Sequence, residues 1–502
     1  MNKIIRENRT ELICKEKKWL NTSVVIYGLF LVVYRMLSTI SLFWENVYLR
    51  FGNIIAIFTV CFGILILMYD LFHERTCLKT TGHIGLFIIM LATMLTTFVH
   101  TQYAFIENVK SVIWMVIHYF CIYPSIKRLD ENRLKQILKY TYLILFVIYS
   151  VAAVVSFKEF LFMESGEYYV SDEHIHWGFW EARLYGVFKS ILDVNVSSLL
   201  IFFAGVWFCL CDSGLMRVIG GVAAVLSFIY MVLAGSRIII VCFLTVIMCF
   251  SVFVFRNKDK NLMNILKVML KRLIFVVLVF SVFLVLYKTA DSGLKSIVLD
   301  ISSKNEHKTE SVTEGKTEEE NQELTIERQD VYSGDISNNR FYIWKDYMHL
   351  LLRNQESFFL GYTPSGYGKM IRDVSPDIYI VQYWDNKEPL RKERGDVYSP
   401  HNSYLAMFVM CGLIGFTGLM IFLCALFTSI HRWYQKKEEA NINPEIYLYI
   451  TVLVVYLTLG LVDTDFFFAR STGSTIFWVV CGRLTSFLEM NEETKDCVVD
   501  KV

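Results

Sequence analysis

Ser399-Pro400-His401-Asn402-Ser403-Tyr404-Leu405 closes a long polar segment and opens a long apolar one. About 20 consecutive apolar residues cross the ~30 Å hydrocarbon core of a bilayer as a helix. The run that starts at Ser403 is longer than that. His401 therefore stands where a watery loop meets a membrane helix. Similar runs recur along almost the whole chain. Of 502 residues, 55% are hydrophobic and 19% are charged, more apolar surface than a soluble protein of this length can hide. The composition points to an all-α polytopic membrane protein.

Twelve transmembrane helices are expected, at 24–43, 53–72, 82–99, 106–124, 137–157, 190–211, 216–234, 237–255, 273–290, 403–427, 446–468 and 473–490. The fourth is weakened by Glu107 and Lys110, and the seventh and eighth are joined only by Gly235-Ser236. No small-residue cleavage site follows the first run, so no cleavable leader is expected. Lys and Arg concentrate in the N-terminal tail and in 125–136, 256–272 and 428–445. Twelve spans put these four segments on one side, which the positive-inside rule assigns to the cytoplasm. Both termini are then cytoplasmic.

The chain thus divides into spans 1–9 (residues 1–290), one large extracytoplasmic loop (291–402) and spans 10–12 (403–502). Within the loop, Ser303 to Asp330 holds nine acids against four Lys or Arg and few apolar residues, so disorder is expected there. Residues 337–400 read as an ordered cap. Ser337-Asn338-Asn339 offers helix caps, and Phe341, Trp344, Tyr347, Met348, Leu351 and Leu352 recur at helical spacing. Arg340 to Asn354 is expected as an amphipathic helix on the outer membrane surface. A second external loop, 158–189, mixes acids, histidines and tryptophans.

Ionisable residues at membrane boundaries are costly and mark functional sites. Arg237 follows Gly235-Ser236 at the mouth of two spans. It either snorkels to the headgroups or ligates phosphate through two parallel hydrogen bonds. Arg340 and Arg183 carry the same ambiguity, and the acids Asp463 and Asp465 offer one of these arginines an ion pair. His401, with an ordinary pKa near ~6.5, suits proton removal from a hydroxyl. His174-x-His176 is a weak metal signal, and no metal is expected. The twelve cysteines fall in apolar runs or inside segments and suggest no disulfide framework. A net charge of +1 gives no sign of a nucleic-acid partner.

Four stretches carry a resemblance. They are Arg183-Leu184-Tyr185-Gly186-Val187-Phe188 running on to Asn195, Gly235-Ser236-Arg237, and Asn339-Arg340-Phe341-Tyr342-Ile343-Trp344 followed by Phe359-Leu360-Gly361-Tyr362-Thr363-Pro364. The fourth is the opening stretch with Cys411-Gly412-Leu413-Ile414-Gly415. In order and placement they resemble the O-antigen ligase/O-antigen polymerase family of bacterial envelope glycosyltransferases, which includes Wzy-type polysaccharide polymerases. Departures are Thr363 where a second Gly is common, Val194-Asn195 for Pro-Asn, and the acidic stretch 303–330.

The resemblance implies a GT-C-like membrane enzyme in the bacterial cytoplasmic membrane that needs no cofactor. Its donor is a glycan on undecaprenyl diphosphate, used at the outer face to build capsule, O-antigen or exopolysaccharide. His401, Arg237 and Arg340 take the catalytic places. Arg183, Asn195, Trp344, Asn402, Tyr404 and Asp463 take substrate-binding ones. Membrane lipids and a chain-length regulator are the expected partners. A polymerase is favoured over a ligase. A lipid-linked-oligosaccharide flippase is the rival from another class, and would place charges along an internal path and show two related halves.

Overall fold

The computed structural model describes residues 22–24, 26–73, 75–126, 131–170, 173–180, 182–255, 262–309, 339–387, 389–436, 445–462 and 472–499. Helices dominate. In chain order they are α1 (Thr22–Leu37), α2 (Ser41–His73), α3 (His83–Val99), α4 (Phe105–Ile122), α5 (Glu131–Leu161), α6 (Ile191–Cys211), α7 (Leu215–Ala234), α8 (Arg237–Val254) and α9 (Leu262–Thr309). There follow α10 (Arg340–Arg353), α11 (Gln355–Leu360), α12 (Tyr367–Val374), α13 (Tyr379–Lys387), α14 (Pro389–Arg394), α15 (Ser403–Lys436), α16 (Glu445–Leu459) and α17 (Thr472–Val499).

Among the described residues, eight helices are long and apolar enough to cross a membrane: α2, α4, α5, α6, α7, α8, α9 and α15. The chain is a multi-pass membrane protein. Shorter apolar helices, α1, α3 and α16, lie where three further spans are expected. The twelfth expected span coincides with α17, which carries Arg483 and Glu489.

Three features depart from the expectations. The loop 158–189 is a three-stranded antiparallel sheet, β1 (Ser165–Val170), β2 (Glu173–Trp180) and β3 (Arg183–Gly186). The fold is therefore not purely helical. Alternation of aromatic and β-branched residues with polar ones through Tyr168, Val170, Ile175 and Trp177 favours strand pairing. The first expected span is broken. Its helix stops at Leu37, Ile40 bridges Phe188, and α2 begins at Ser41. Finally, α9 runs without a break through Asp291, where the loop was expected to start, as far as Thr309. Its extension carries the i,i+4 pair Lys295–Asp291 at 2.8 Å. Of the stretch 303–330 expected to be disordered, Ser303 to Thr309 belong to this helix, and the remainder lies outside the described residues.

The chain forms two compact units. The first comprises residues 1–35, 51–141 and 339–502. In it α10 to α14 form a cap whose core is Ile343, Tyr347, Leu350, Leu351, Tyr362, Ile371, Ile380 and Val381, closed from below by Val409 of α15. The cap is pinned to the α3–α4 turn: Ser365 N donates to the buried Asn108 side chain at 2.7 Å, and the Tyr103 hydroxyl donates to Asp373 at 2.8 Å. At the other end of this unit, the buried Glu445 of α16 lies 3.7 Å from the buried Arg483 of α17 and accepts from the Tyr449 hydroxyl at 2.6 Å.

The second unit comprises residues 36–50 and 142–338. Its core gathers Tyr149, Phe160, Leu184, Phe188, Val194, Ala223 and Tyr230. The glycine pair Gly205 and Gly220 lets α6 and α7 touch, since a Cβ on either would meet the other's carbonyl oxygen within 2.7 Å.

Candidate active site

Of the residues expected to act, Arg340, Trp344, His401, Asn402 and Tyr404 lie in the first unit, and Arg183, Asn195 and Arg237 in the second. Asp463 lies outside the described residues.

His401 takes a left-handed backbone conformation, φ 45°, which non-glycine residues adopt only when the surroundings hold them there. What holds it is visible on both sides. Upstream, the Trp344 Nε1–H donates to the Pro400 carbonyl at 2.9 Å, the Tyr347 hydroxyl donates to the Tyr398 carbonyl at 2.6 Å, and Tyr398 N donates to the Ile380 carbonyl at 2.8 Å. Downstream, the Asn402 side-chain oxygen accepts from Tyr404 N and Leu405 N, both at 3.0 Å, and so caps α15. The Asn402 amide donates to the Leu461 carbonyl at 3.2 Å, and the Tyr404 hydroxyl to the Leu457 carbonyl at 2.9 Å. Asn402 and Tyr404, expected as substrate contacts, thus use these polar atoms to fix the chain. Trp344 does likewise with its indole nitrogen.

The imidazole of His401 meets the Tyr398 ring edge-on at 5.3 Å, and Tyr398 stacks on Tyr383 at 4.1 Å. Burial, and then the positive charge of Arg340 at the start of α10, push the His401 pKa down to about 4. His401 is therefore a neutral imidazole at neutral pH. Burial and its tyrosine neighbours raise the Tyr398 phenol.

This group faces a cleft of about 550 Å³ whose wall includes Lys369, Tyr383, Arg391, Arg394, Tyr398 and His401. Arg394 is paired with Asp396 at 3.2 Å. The three cations of the cleft were not singled out in the sequence. The one signal available was the short basic run from Arg391 to Arg394 in an otherwise aromatic segment.

Helix α10 has the expected extent, but its expected apolar face is split between the cap core and the surface. Ile343, Tyr347, Leu350 and Leu351 turn into the cap core, whereas Phe341, Met348 and Leu352 are exposed. The helix is a core element of the cap.

Two of the quoted motifs meet behind it. The helix α15 is broken at Gly412, φ 63°, ψ −169°, and the freed Val409 carbonyl accepts from Tyr362 N at 2.7 Å. Gly361, φ 81°, sits against this break, where a Cβ would lie 2.6 Å from Gly412 N. A Cβ on Gly412 would overlap the Phe359 carbonyl. Only glycine combines that φ with such an approach.

In the second unit, Arg183 opens β3 and is half-buried. Leu184 and Phe188 are fully buried beside it. Gly186, φ 60°, lies where a Cβ would overlap the Ser156 and Tyr230 hydroxyls. The motif residues other than Arg183 therefore seat the strand. Asn195 is buried in α6, and its Oδ1 accepts no hydrogen bond among the described residues. Arg237 is the first residue of α8, after the left-handed Gly235, and lines a cleft of about 240 Å³ with Tyr287, Asp291 and Lys295.

Residues 222–420 match the O-antigen ligase family model. The matched range contains Arg237, Arg340, Trp344, His401, Asn402 and Tyr404, and begins after Arg183 and Asn195. No curated protein matches the chain. The family match agrees with the resemblance drawn from the four motifs and supports an enzyme of the ligase or polymerase type.

Proposed function

We propose that the chain is a polysaccharide polymerase that joins undecaprenyl-diphosphate-linked repeat units at the outer face of a bacterial cytoplasmic membrane, with both termini in the cytoplasm. The observation that carries the reading is His401. It is a neutral imidazole held by strained backbone at the wall of a cation-lined cleft, inside the range matched by the family model.

The acceptor hydroxyl attacks the anomeric carbon of the donor sugar, and the bond from that carbon to the diphosphate oxygen breaks. The electron pair leaves with the lipid diphosphate. That group is already a good leaving group, so no carboxylic acid is needed to protonate it. His401 accepts the hydroxyl proton. Arg340 opposes the charge that grows on the departing oxygen. For Arg340 the support is its electrostatic influence on His401. Arg237 is a phosphate ligand in this reading, on the Gly235-Ser236-Arg237 motif and its place at a helix start lining a cleft within the second unit. A dianionic donor also offsets the Arg340 charge, so substrate binding raises the basicity of His401 when it is needed.

The match to the O-antigen ligase family favours a second reading, a ligase that moves the glycan to a different acceptor. Purified protein with lipid-linked repeat units alone separates the two. A ladder of lengthening products supports the polymerase. Product formed only after a second, non-repeat acceptor is added makes the chain a ligase.

A further inference from the structure

We propose that Glu167, His174 and His176 form a binding site for a divalent transition-metal ion of the zinc class on the β1–β2 hairpin.

Residues two apart on a strand share a face, and residues opposite each other on paired strands share it too. His174 and His176 are two apart on β2, and Glu167 of β1 is the register partner of His176. Tyr168, next to Glu167, turns to the other face and donates to Glu45. Three potential ligands are thus collected on one side of a two-stranded ladder. His174 Nε2 lies 2.8 Å and His176 Nδ1 3.8 Å from the same oxygen, Glu167 Oε2. All three ligand atoms lie within 4.8 Å of one another.

A tetrahedral zinc ion with ligand bonds of ~2.0–2.2 Å separates its ligand atoms by about 3.3 Å. Both observed separations come to that value with side-chain rotations of well under an ångström at the tips. The rings are already oriented. Tyr169 stacks on His174 at 4.5 Å and 7°, and Trp180 stacks on His176 at 5.2 Å. The two histidines are mostly shielded, with side chains 21% and 26% exposed. Two imidazoles and a carboxylate select zinc, copper, nickel or cobalt over magnesium or calcium, which prefer all-oxygen sites. Coordination would replace the His174–Glu167 hydrogen bond and clamp β1 to β2. Three protein ligands leave a fourth position for water or an anionic group. The clamp adjoins the turn from Trp180 to Arg183, whose Cα atoms pair in register.

The full chain, purified through a histidine-free tag and stripped with a chelator, is dialysed against Zn²⁺ and assayed by elemental analysis, with Co²⁺ absorption as a second readout. About one metal per chain is expected, with cobalt bands of tetrahedral intensity. Glu167→Gln preserves shape and hydrogen bonding and should weaken binding at least about tenfold. His174→Ala with His176→Ala should abolish it, and His349→Ala, at an exposed histidine of α10, should not alter it. Absence of metal from the wild type after dialysis overturns the proposal. So does equal uptake by wild type and Glu167→Gln.

Discussion

At the residue scale, the proposed proton transfer depends on how His401 is held. An imidazole pushed down to about 4 keeps its lone pair free as pH falls, until protonation sets in near that value. The acid limb of kcat/KM, which reports the free enzyme, should therefore lie near pH 4 and not near the ordinary ~6.5. Arg340→Gln removes one of the two causes of the shift. It should move that limb upward and lower kcat as well. Trp344→Phe keeps the ring but leaves the Pro400 carbonyl without its 2.9 Å donor. The lost hydrogen bond is worth about 1 kcal/mol. The expected outcome is a several-fold fall in kcat with little change in KM, measured by initial rates. His401 and Arg340 were legible as candidates because ionisable residues at a span boundary stand out. The strain at His401, the drop in its pKa and the three cations of its cleft were not. They depend on contacts between Tyr398, Ile380 and Trp344 that are distant in sequence.

At the element scale, most helix positions followed from hydropathy, since bilayer thickness sets a length that any apolar run must meet. The breaks did not. Helix α15 gives no hydropathic sign of its interruption at Gly412, because an apolar run reads the same whether or not one residue leaves the helix. The sheet over 165–186 escapes a hydropathy reading because acids and histidines are interleaved with its apolar residues. Gly412→Ala should destabilise the protein by about 1–3 kcal/mol through backbone strain alone, and by more from overlap with Phe359, seen as a lowered Tm in detergent. Arg483→Ala leaves Glu445 buried without its cation and should cost about 3–5 kcal/mol. Restoring stability with Glu445→Gln in the same chain would confirm that charge, not packing, is responsible.

At the scale of the whole molecule, a multi-pass helical frame carries two compact units, and the family model matches a range that draws on both. The proposed topology puts the cap outside. A cysteine at the exposed Glu393 should react with an impermeant maleimide on intact cells, and protection until the membrane is opened would invert the topology. The central claim is that His401 performs the proton transfer in glycosyl transfer from a lipid diphosphate. Turnover of lipid-linked repeat units by purified His401→Ala, compared with wild type at equal membrane levels, tests it most directly. A loss of about 10²–10⁴-fold in kcat is expected for a general base; a kcat equal to that of the wild type would contradict the account.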